Sequence, residues 1–312
     1  MKAIVYEKNG KPEKLVLREV EKPIPTNDQV LIEIHAVSIN AADYRSMQMG
    51  IIPKSRIFGA DVAGQVVAAG SAVTSLKPGD AVAGDLSGCG FGGFAEYAAA
   101  PASMLARKPE PLSYEEAAAV PLAGGTALQA LRDAGKVQPG QRVLIRGAGG
   151  GVGTYAVQIA KIFGAHVTAV CGPRSVELVR SLGADSVIDY SSEDFTRTDT
   201  RYDLILAING GSSLLAYRRL LAPRGITVIA GGPLRQVISA MLFGPILSLG
   251  SRKIRSLAAK PNAKDTATLL QWAAEGRLKP AIERCVPLEQ TPEAMQRVMQ
   301  GHTRGKVVVK VR

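Results

Sequence analysis

Between Arg142 and Ala230 the sequence alternates short β-branched runs with stretches of helical period, and no other feature constrains the fold as tightly. Val143-Leu-Ile, His166-Val-Thr-Ala-Val-Cys171, Ser186-Val-Ile-Asp-Tyr190, Tyr202-Asp-Leu-Ile-Leu-Ala-Ile208 and Gly225-Ile-Thr-Val-Ile-Ala230 read as strands. Between them Val152, Ala156, Ile159, Ala160 and Phe163 recur at helical spacing, as do Leu178, Val179 and Leu182. Such alternation predicts βαβ units, hence a parallel sheet covered by helices on both faces. Right-handed crossovers then place ligands beyond the carboxyl ends of the strands.

The rest of the chain has another texture. Val30-Leu-Ile-Glu-Ile-His-Ala-Val37 and Asp61-Val-Ala-Gly-Gln-Val-Val-Ala-Ala-Gly70 are β-rich and bounded by Gly, Pro or Asp. Lys77-Pro-Gly-Asp80 is a turn in which Pro sets φ and Gly accepts a positive φ. A small barrel-like β domain is expected there. Ser113-Tyr-Glu-Glu116 is a capping box that opens an alanine-rich helical region. After about Asn262 come a helix over 265–275, another with Pro292 in its first turn, and a final strand from Lys306. The pattern divides the chain into a β-rich domain, 1–120 and 258–312, and an inserted nucleotide-binding domain, 121–257.

The stretch Arg142-Val-Leu-Ile-Arg-Gly-Ala-Gly-Gly-Gly-Val-Gly153 gives the inserted domain a chemical role. It joins a strand to a helix, the setting a dinucleotide fingerprint needs. Matched to G-x-G-x-x-G, the three positions are Ala148, Gly150 and Gly153, so alanine replaces the first glycine. Gly149, Gly151 and Val152 complete the loop, whose helix N-terminus offers N–H groups and partial positive charge to phosphates. The second strand ends Val170-Cys171-Gly172-Pro173-Arg174-Ser175, with no carboxylate for a ribose 2′-hydroxyl. Arg174 suits a 2′-phosphate and Ser175 a further hydrogen bond; otherwise Ser175 is an N-cap and Arg174 a surface charge. NADPH is the expected cofactor, and Gly231, after the strand ending at Ala230, joins the cofactor set.

Composition removes several classes. Cys89, Cys171 and Cys285 stand apart, and with His35, His166 and His302 they form no pair at metal-ligand spacing. The formal net charge of +11 comes from scattered basic residues, the densest group being Arg252-Lys253-Ile254-Arg255, and no nucleic-acid partner is expected. Residues 237–249 are apolar but interrupted by Ser239, Gly244, Pro245 and Ser248, too short for a membrane span. They read as a core helix or subunit interface, or as the wall of an apolar pocket. Their flanks, Arg235 and Arg252-Lys253, permit weak contact with an anionic membrane surface. The opening MKAIVYEKNG does not read as a secretory signal, so a cytoplasmic location is expected.

Ser38-Ile-Asn40-Ala-Ala-Asp43, Phe58-Gly-Ala-Asp61-Val-Ala-Gly64, Leu76-Lys-Pro-Gly-Asp80, Gly92-Gly-Phe-Ala-Glu96-Tyr97, Gly125-Thr126-Ala-Leu, the glycine loop, Leu182-Gly-Ala-Asp185 and Gly305-Lys306-Val-Val extend the picture along nearly the whole chain. With these motifs the sequence resembles the zinc-independent medium-chain dehydrogenase/reductases of quinone oxidoreductase and enone reductase type. The resemblance implies a GroES-like β-barrel-type catalytic domain plus a Rossmann doubly wound parallel-sheet domain, and NADPH-dependent reduction of a quinone or α,β-unsaturated carbonyl. Zinc-dependent relatives carry a cysteine where this chain has Asn40, and Gly-His-Glu where it has Gly59-Ala60-Asp61, so no metal ligand is expected. The resemblance also implies Asn40, Asp43 and Tyr44 near the substrate, Thr126 beside the nicotinamide, Tyr190 near the adenosine phosphate, and a homodimer. Asn40 and Tyr44 are candidate donors to a developing oxyanion. Equally, Asn40 reads as a buried amide, Asp43 as a turn-holding carboxylate and Tyr44 as a cavity wall. A non-catalytic NADPH-sensing or RNA-binding protein on the same fold is the alternative from another class, and a zinc alcohol dehydrogenase a third.

Overall fold

A computed structural model describes residues 1–7, 14–209, 211–232, 234–301 and 303–312, leaving the side chains of Leu234, Arg235 and Val237 aside. His302 and the side chain of Arg235, both noted in the sequence, lie outside the described residues. Two compact units result: Met1–Gly125 with Lys260–Gly276 and Pro280–Arg312, and Thr126–Ala259 with Arg277–Lys279.

The first unit begins with β1 (Lys2–Tyr6) and β2 (Leu15–Glu19), an antiparallel pair. Then come β3 (Gln29–Ser38), α1 (Ala41–Gln48), β4 (Asp61–Ala69), β5 (Ala81–Asp85), β6 (Tyr97–Pro101), β7 (Leu105–Arg107), α2 (Tyr114–Ala119) and α3 (Pro121–Gln129). Register shifts interrupt the β3–β4 ladder near Ile32 and Ala36, where such irregularities bend a sheet. The capping box forms as the sequence predicts: Glu116 N–H donates to Ser113 Oγ at 3.1 Å, and Ser113 N–H donates to Glu116 Oε2 at 2.9 Å.

The second unit holds β8 (Arg142–Arg146), α4 (Gly151–Ile162), β9 (His166–Cys171), α5 (Val176–Ser181), β10 (Ser186–Asp189), β11 (Tyr202–Ala207), α6 (Leu214–Leu220), β12 (Leu221–Ile229), α7 (Leu234–Leu247) and β13 (Lys253–Ser256). Every pairing is parallel, in the order β10-β9-β8-β11-β12-β13. This is the doubly wound order, reversing direction beside β8. Val143, Leu144 and Ile145 are fully buried, as both-face coverage demands. The basic group Arg252–Arg255 falls largely in β13, the edge strand, which charge alone did not announce.

The chain returns to the first unit with α8 (Ala263–Ala274), β14 (Ile282–Pro287), α9 (Thr291–Met299) and β15 (Lys306–Lys310). β15 pairs antiparallel with β3 and parallel with β14, completing the sheet order β14-β15-β3-β4-β5-β7, with β6 also on β3. Ile32, Ile34, Phe58, Phe94, Met295 and Val309 are among its fully buried residues. Among the described residues no helix is long and apolar enough to cross a membrane.

Candidate active site: a glycine cradle and a buried lysine cluster

In the second unit the chain leaves β8 through Gly147, at φ +88°. That left-handed step suits glycine and lets the loop fold back under the helix. The sharp turn thus occurs one residue before the fingerprint's first position. Ala148 is buried, its N–H donating to Val170 O at 3.1 Å beside Gly147 N–H at 3.0 Å. Gly150 is the N-cap of α4, with extended φ and ψ, and no atom lies within 3.4 Å of where its Cβ would stand. Gly153 is packed tight: a Cβ there would lie 2.1 Å from Gly147 O and 2.6 Å from Ala148 Cα. A Cβ on Gly149 would meet Ser175 Oγ at 2.5 Å. Gly151 and Val152 form the first turn of α4, whose leading N–H groups have no intrahelical acceptor. The cradle fits a pyrophosphate: close backbone, a helix N-terminus and no side chain in the way.

The end of β9 carries the residues that the sequence singles out for the ribose of a dinucleotide. Cys171 is buried, and burial with the Asp189 carboxylate pushes its thiol up from the ordinary range. Pro173–Ser175 make one 3₁₀ turn closed by Ser175 N–H on Gly172 O at 2.9 Å. Arg174 is exposed; Ser175 makes no side-chain cap, so its hydroxyl faces Gly149 rather than serving α5. Tyr190 follows β10, half exposed, and its hydroxyl would lie 2.9 Å from a Cβ on Gly172. Gly231, past β12, sits where a Cβ would strike Ile208 O at 2.5 Å. Thr126 is half-buried on α3. Glycine loop, Ser175, Gly172 and Tyr190 are therefore brought together at one end of the sheet.

Asn40, Asp43 and Tyr44 lie in the first unit, at the start of α1. Asn40 is its N-cap, and the Asn40 N–H donates to Asp43 Oδ2 at 2.7 Å. Asp43 Oδ1 accepts from Gly59 N–H at 3.1 Å and Ala60 N–H at 3.0 Å. Asn40 Nδ2 donates to Ser38 O at 3.1 Å and to Asp61 Oδ2 at 2.8 Å, while Lys306 Nζ donates to Asn40 Oδ1. Both amide hydrogens and the carbonyl are thus engaged inside the protein. Of the two readings left open for Asn40 and Asp43, this geometry is that of buried amide and turn-holding carboxylate. Tyr44 is half-buried against the core.

Sequence reasoning missed the charge that organises this cluster. Lys306, on β15, is buried, and its ammonium also reaches Ile39 O at 3.3 Å and Asp61 Oδ2 at 3.7 Å. Burial drives its pKa down, opposed first by Asp61. Burial pushes Asp43 up to about 7 against the N–H donors that favour its anion. Asp61 moves the same way, with Asp85 adding to burial and Lys306 opposing both. The lysine was visible in Gly305-Lys306-Val-Val but lay in a strand pattern that says nothing of its neighbours. Arg146 was missed as well. A charged residue ending an apolar parallel strand stands where ligands bind, and that signal was available.

With this geometry, similarity becomes informative. Residues 26–110 match the alcohol dehydrogenase GroES-like domain, and residues 182–309 match the family described as zinc-binding dehydrogenase. The chloroplast envelope quinone oxidoreductase homolog of Arabidopsis thaliana is 35% identical, covering 94% of this chain and 93% of its own. The chain belongs to the medium-chain dehydrogenase/reductases, with the quinone oxidoreductases. This medium-chain oxidoreductase is also 32% identical to the mitochondrial NAD(P)H oxidoreductase RTN4IP1 of Homo sapiens, over 100% of this chain and 89% of that one. The quinone oxidoreductase from Coxiella burnetii superposes with a TM-score of 0.91 at 31% identity, covering 100% and 99% of the two chains. The two units are accordingly its GroES-like and Rossmann-like folds.

Proposed function

We propose that this medium-chain oxidoreductase is an NADPH-dependent, zinc-independent reductase of quinones or α,β-unsaturated carbonyl compounds. One observation carries the cofactor reading: the end of β9 bears Arg174 and Ser175 and no carboxylate. A ribose 2′-hydroxyl would lack its usual acceptor there, whereas a 2′-phosphate would gain a guanidinium. The name of the human relative supports a nicotinamide dinucleotide, and the names of the plant and bacterial ones support a quinone acceptor.

The donor set argues for a reaction without zinc. Ala60 has no ligand atom, and Asn40 is a neutral amide held by Lys306, Asp61 and Ser38 O. Neither offers the thiolate or imidazole of an open tetrahedral site. When bound, the dinucleotide supplies a hydride to an acceptor already electrophilic at carbon. The chain's own work is to hold the phosphates at the α4 N-terminus and to stabilise charge arising on the acceptor oxygen. Tyr44 is the donor proposed for that oxygen, since it directly follows Asp43 in α1 and both side-chain N–H groups of Asn40 are already engaged. Asn40 and Asp43 then act as positioning residues for the turn that presents Tyr44.

NADPH oxidation measured against quinones, short and long enones and aldehydes tests the reading. Turnover with quinones or enones, at least tenfold slower in Tyr44→Phe with an unchanged Michaelis constant for NADPH, is expected. Tight NADPH binding with no turnover of any acceptor would instead support the non-catalytic sensor.

A further inference from the structure

The second unit holds a cation, Arg146, that has no ion-pair partner among the described residues. Arg146 ends β8, and its guanidinium carbon lies 4.7 Å from the centre of the Tyr190 ring and 5.9 Å from that of Phe195. Its Nε is buried and has no hydrogen-bond partner among the described residues. Aromatic faces compensate part of a guanidinium's desolvation, but they leave its N–H donors unused. Arg146 lines an open pocket of about 350 Å³ together with Tyr190, Phe195, Gly211 and Ser212, among others. Gly211 leaves room there: a Cβ on it would stand 3.7 Å from an Arg146 Nη. Two carboxylates, Glu193 and Asp194, share the rim. Asp194 is held by Thr196 and Arg197, and neither is within ion-pair distance of Arg146 among the described residues.

The location adds the direction. Tyr190 links this half-buried arginine to the end of β9: its ring face carries Arg146, and its hydroxyl edge overlies Gly172. Arg146 also lies close enough to Cys171 to bear on that thiol electrostatically. Resting on the NADPH reading above, we propose that Arg146 is the inner, half-buried member of a two-arginine clamp for the cofactor's 2′-phosphate, with Arg174 its exposed member. The half-buried guanidinium supplies most of the selectivity for the phosphorylated dinucleotide. It is already oriented by its aromatic neighbours, whereas exposed Arg174 must be ordered on binding. An anion at this point supplies the acceptor that Arg146 Nε lacks among the described residues.

The test uses the full chain and two probes, 2′,5′-ADP and 5′-AMP, titrated calorimetrically into wild type, Arg146→Met, Arg146→Lys and Arg174→Ala. Wild type should prefer 2′,5′-ADP. Arg146→Met should weaken 2′,5′-ADP about ten- to hundredfold, the range of a charged hydrogen-bonded contact, and leave 5′-AMP within about twofold. Arg146→Lys should recover part of the loss, and thermal melting of each variant separates binding from folding. Equal weakening of both probes would overturn the proposal, assigning Arg146 to the base or to the fold; no weakening would overturn it too. A wild type without preference for 2′,5′-ADP would sink the NADPH reading itself, whereas loss of that preference in Arg174→Ala alone would sink only the role of Arg146.

Discussion

Gly153 and Lys306 show how a single residue organises the glycine cradle in one unit and the polar cluster in the other. A Cβ at 153 would sit 2.1 Å from Gly147 O, and backbone cannot yield as a side-chain tip can. Gly153→Ala should therefore spread the cradle, lower dinucleotide affinity at least tenfold and cost about 1–3 kcal/mol, read by calorimetry and melting. Among the described residues Lys306 is the ammonium in direct contact with the Asn40–Asp61 network. Lys306→Met strands buried carboxylate charge and should cost about 3–5 kcal/mol in urea unfolding. Lys306→Met with Asp61→Asn, which removes that charge, should recover part of the loss. The carboxylates also make stability depend on pH. The Asp43 value rises from 3.8 to about 7 on folding, so its protonated form favours the fold. Its contribution is full below the ordinary value and is lost as pH rises through about 7; Asp61 and Asp85 shift in the same direction. The melting temperature should fall between about pH 5 and 8, and Asp43→Asn should flatten the slope; an unchanged slope would contradict this assignment.

At the scale of elements, period and punctuation carried most of the fold. The β9 run His166–Cys171 and the helix after Gly150 were legible because buried parallel strands and an amphipathic helix leave distinct patterns. Pro292 announced α9, and Ser113 with Glu116 announced α2. The short edge strand β13 was hidden inside a basic cluster, and α1 inside a stretch read for its chemistry. The cofactor cradle was legible because strand, loop and helix are contiguous in sequence. The lysine cluster was not, since β3, β4, α1 and β15 meet only through tertiary pairing and Lys306 lies 266 residues from Asn40. α7 makes its own prediction. Met241 and Leu242 are 65% and 63% exposed, with Phe243 and Ile246 also open to solvent, beside the unpaired edge of β13. Such a patch marks an interface. We propose a homodimer through this face, for which light scattering should report twice the chain mass. Met241→Glu with Leu242→Glu should halve it. A wild type that stays monomeric and binds anionic vesicles through these residues would favour the membrane-surface alternative.

The whole molecule comprises a Rossmann-like unit with a glycine cradle and a GroES-like unit whose polar centre is organised by a lysine and carboxylates. The net charge of +11 accords with an anionic cofactor as a matter of long-range attraction, so NADPH binding should weaken with salt more steeply than NADH binding. The central claim is that a positively charged β9 terminus selects NADPH for reduction of an electrophilic acceptor. It is tested most directly by steady-state oxidation of NADPH and NADH with one quinone and one enone, in wild type and Arg174→Ala. The account predicts acceptor turnover with a wild-type preference for NADPH, and a Michaelis constant for NADPH that rises at least tenfold in the variant while that for NADH stays within about twofold. Equal effects on the two cofactors, or a wild type that prefers NADH, would contradict it.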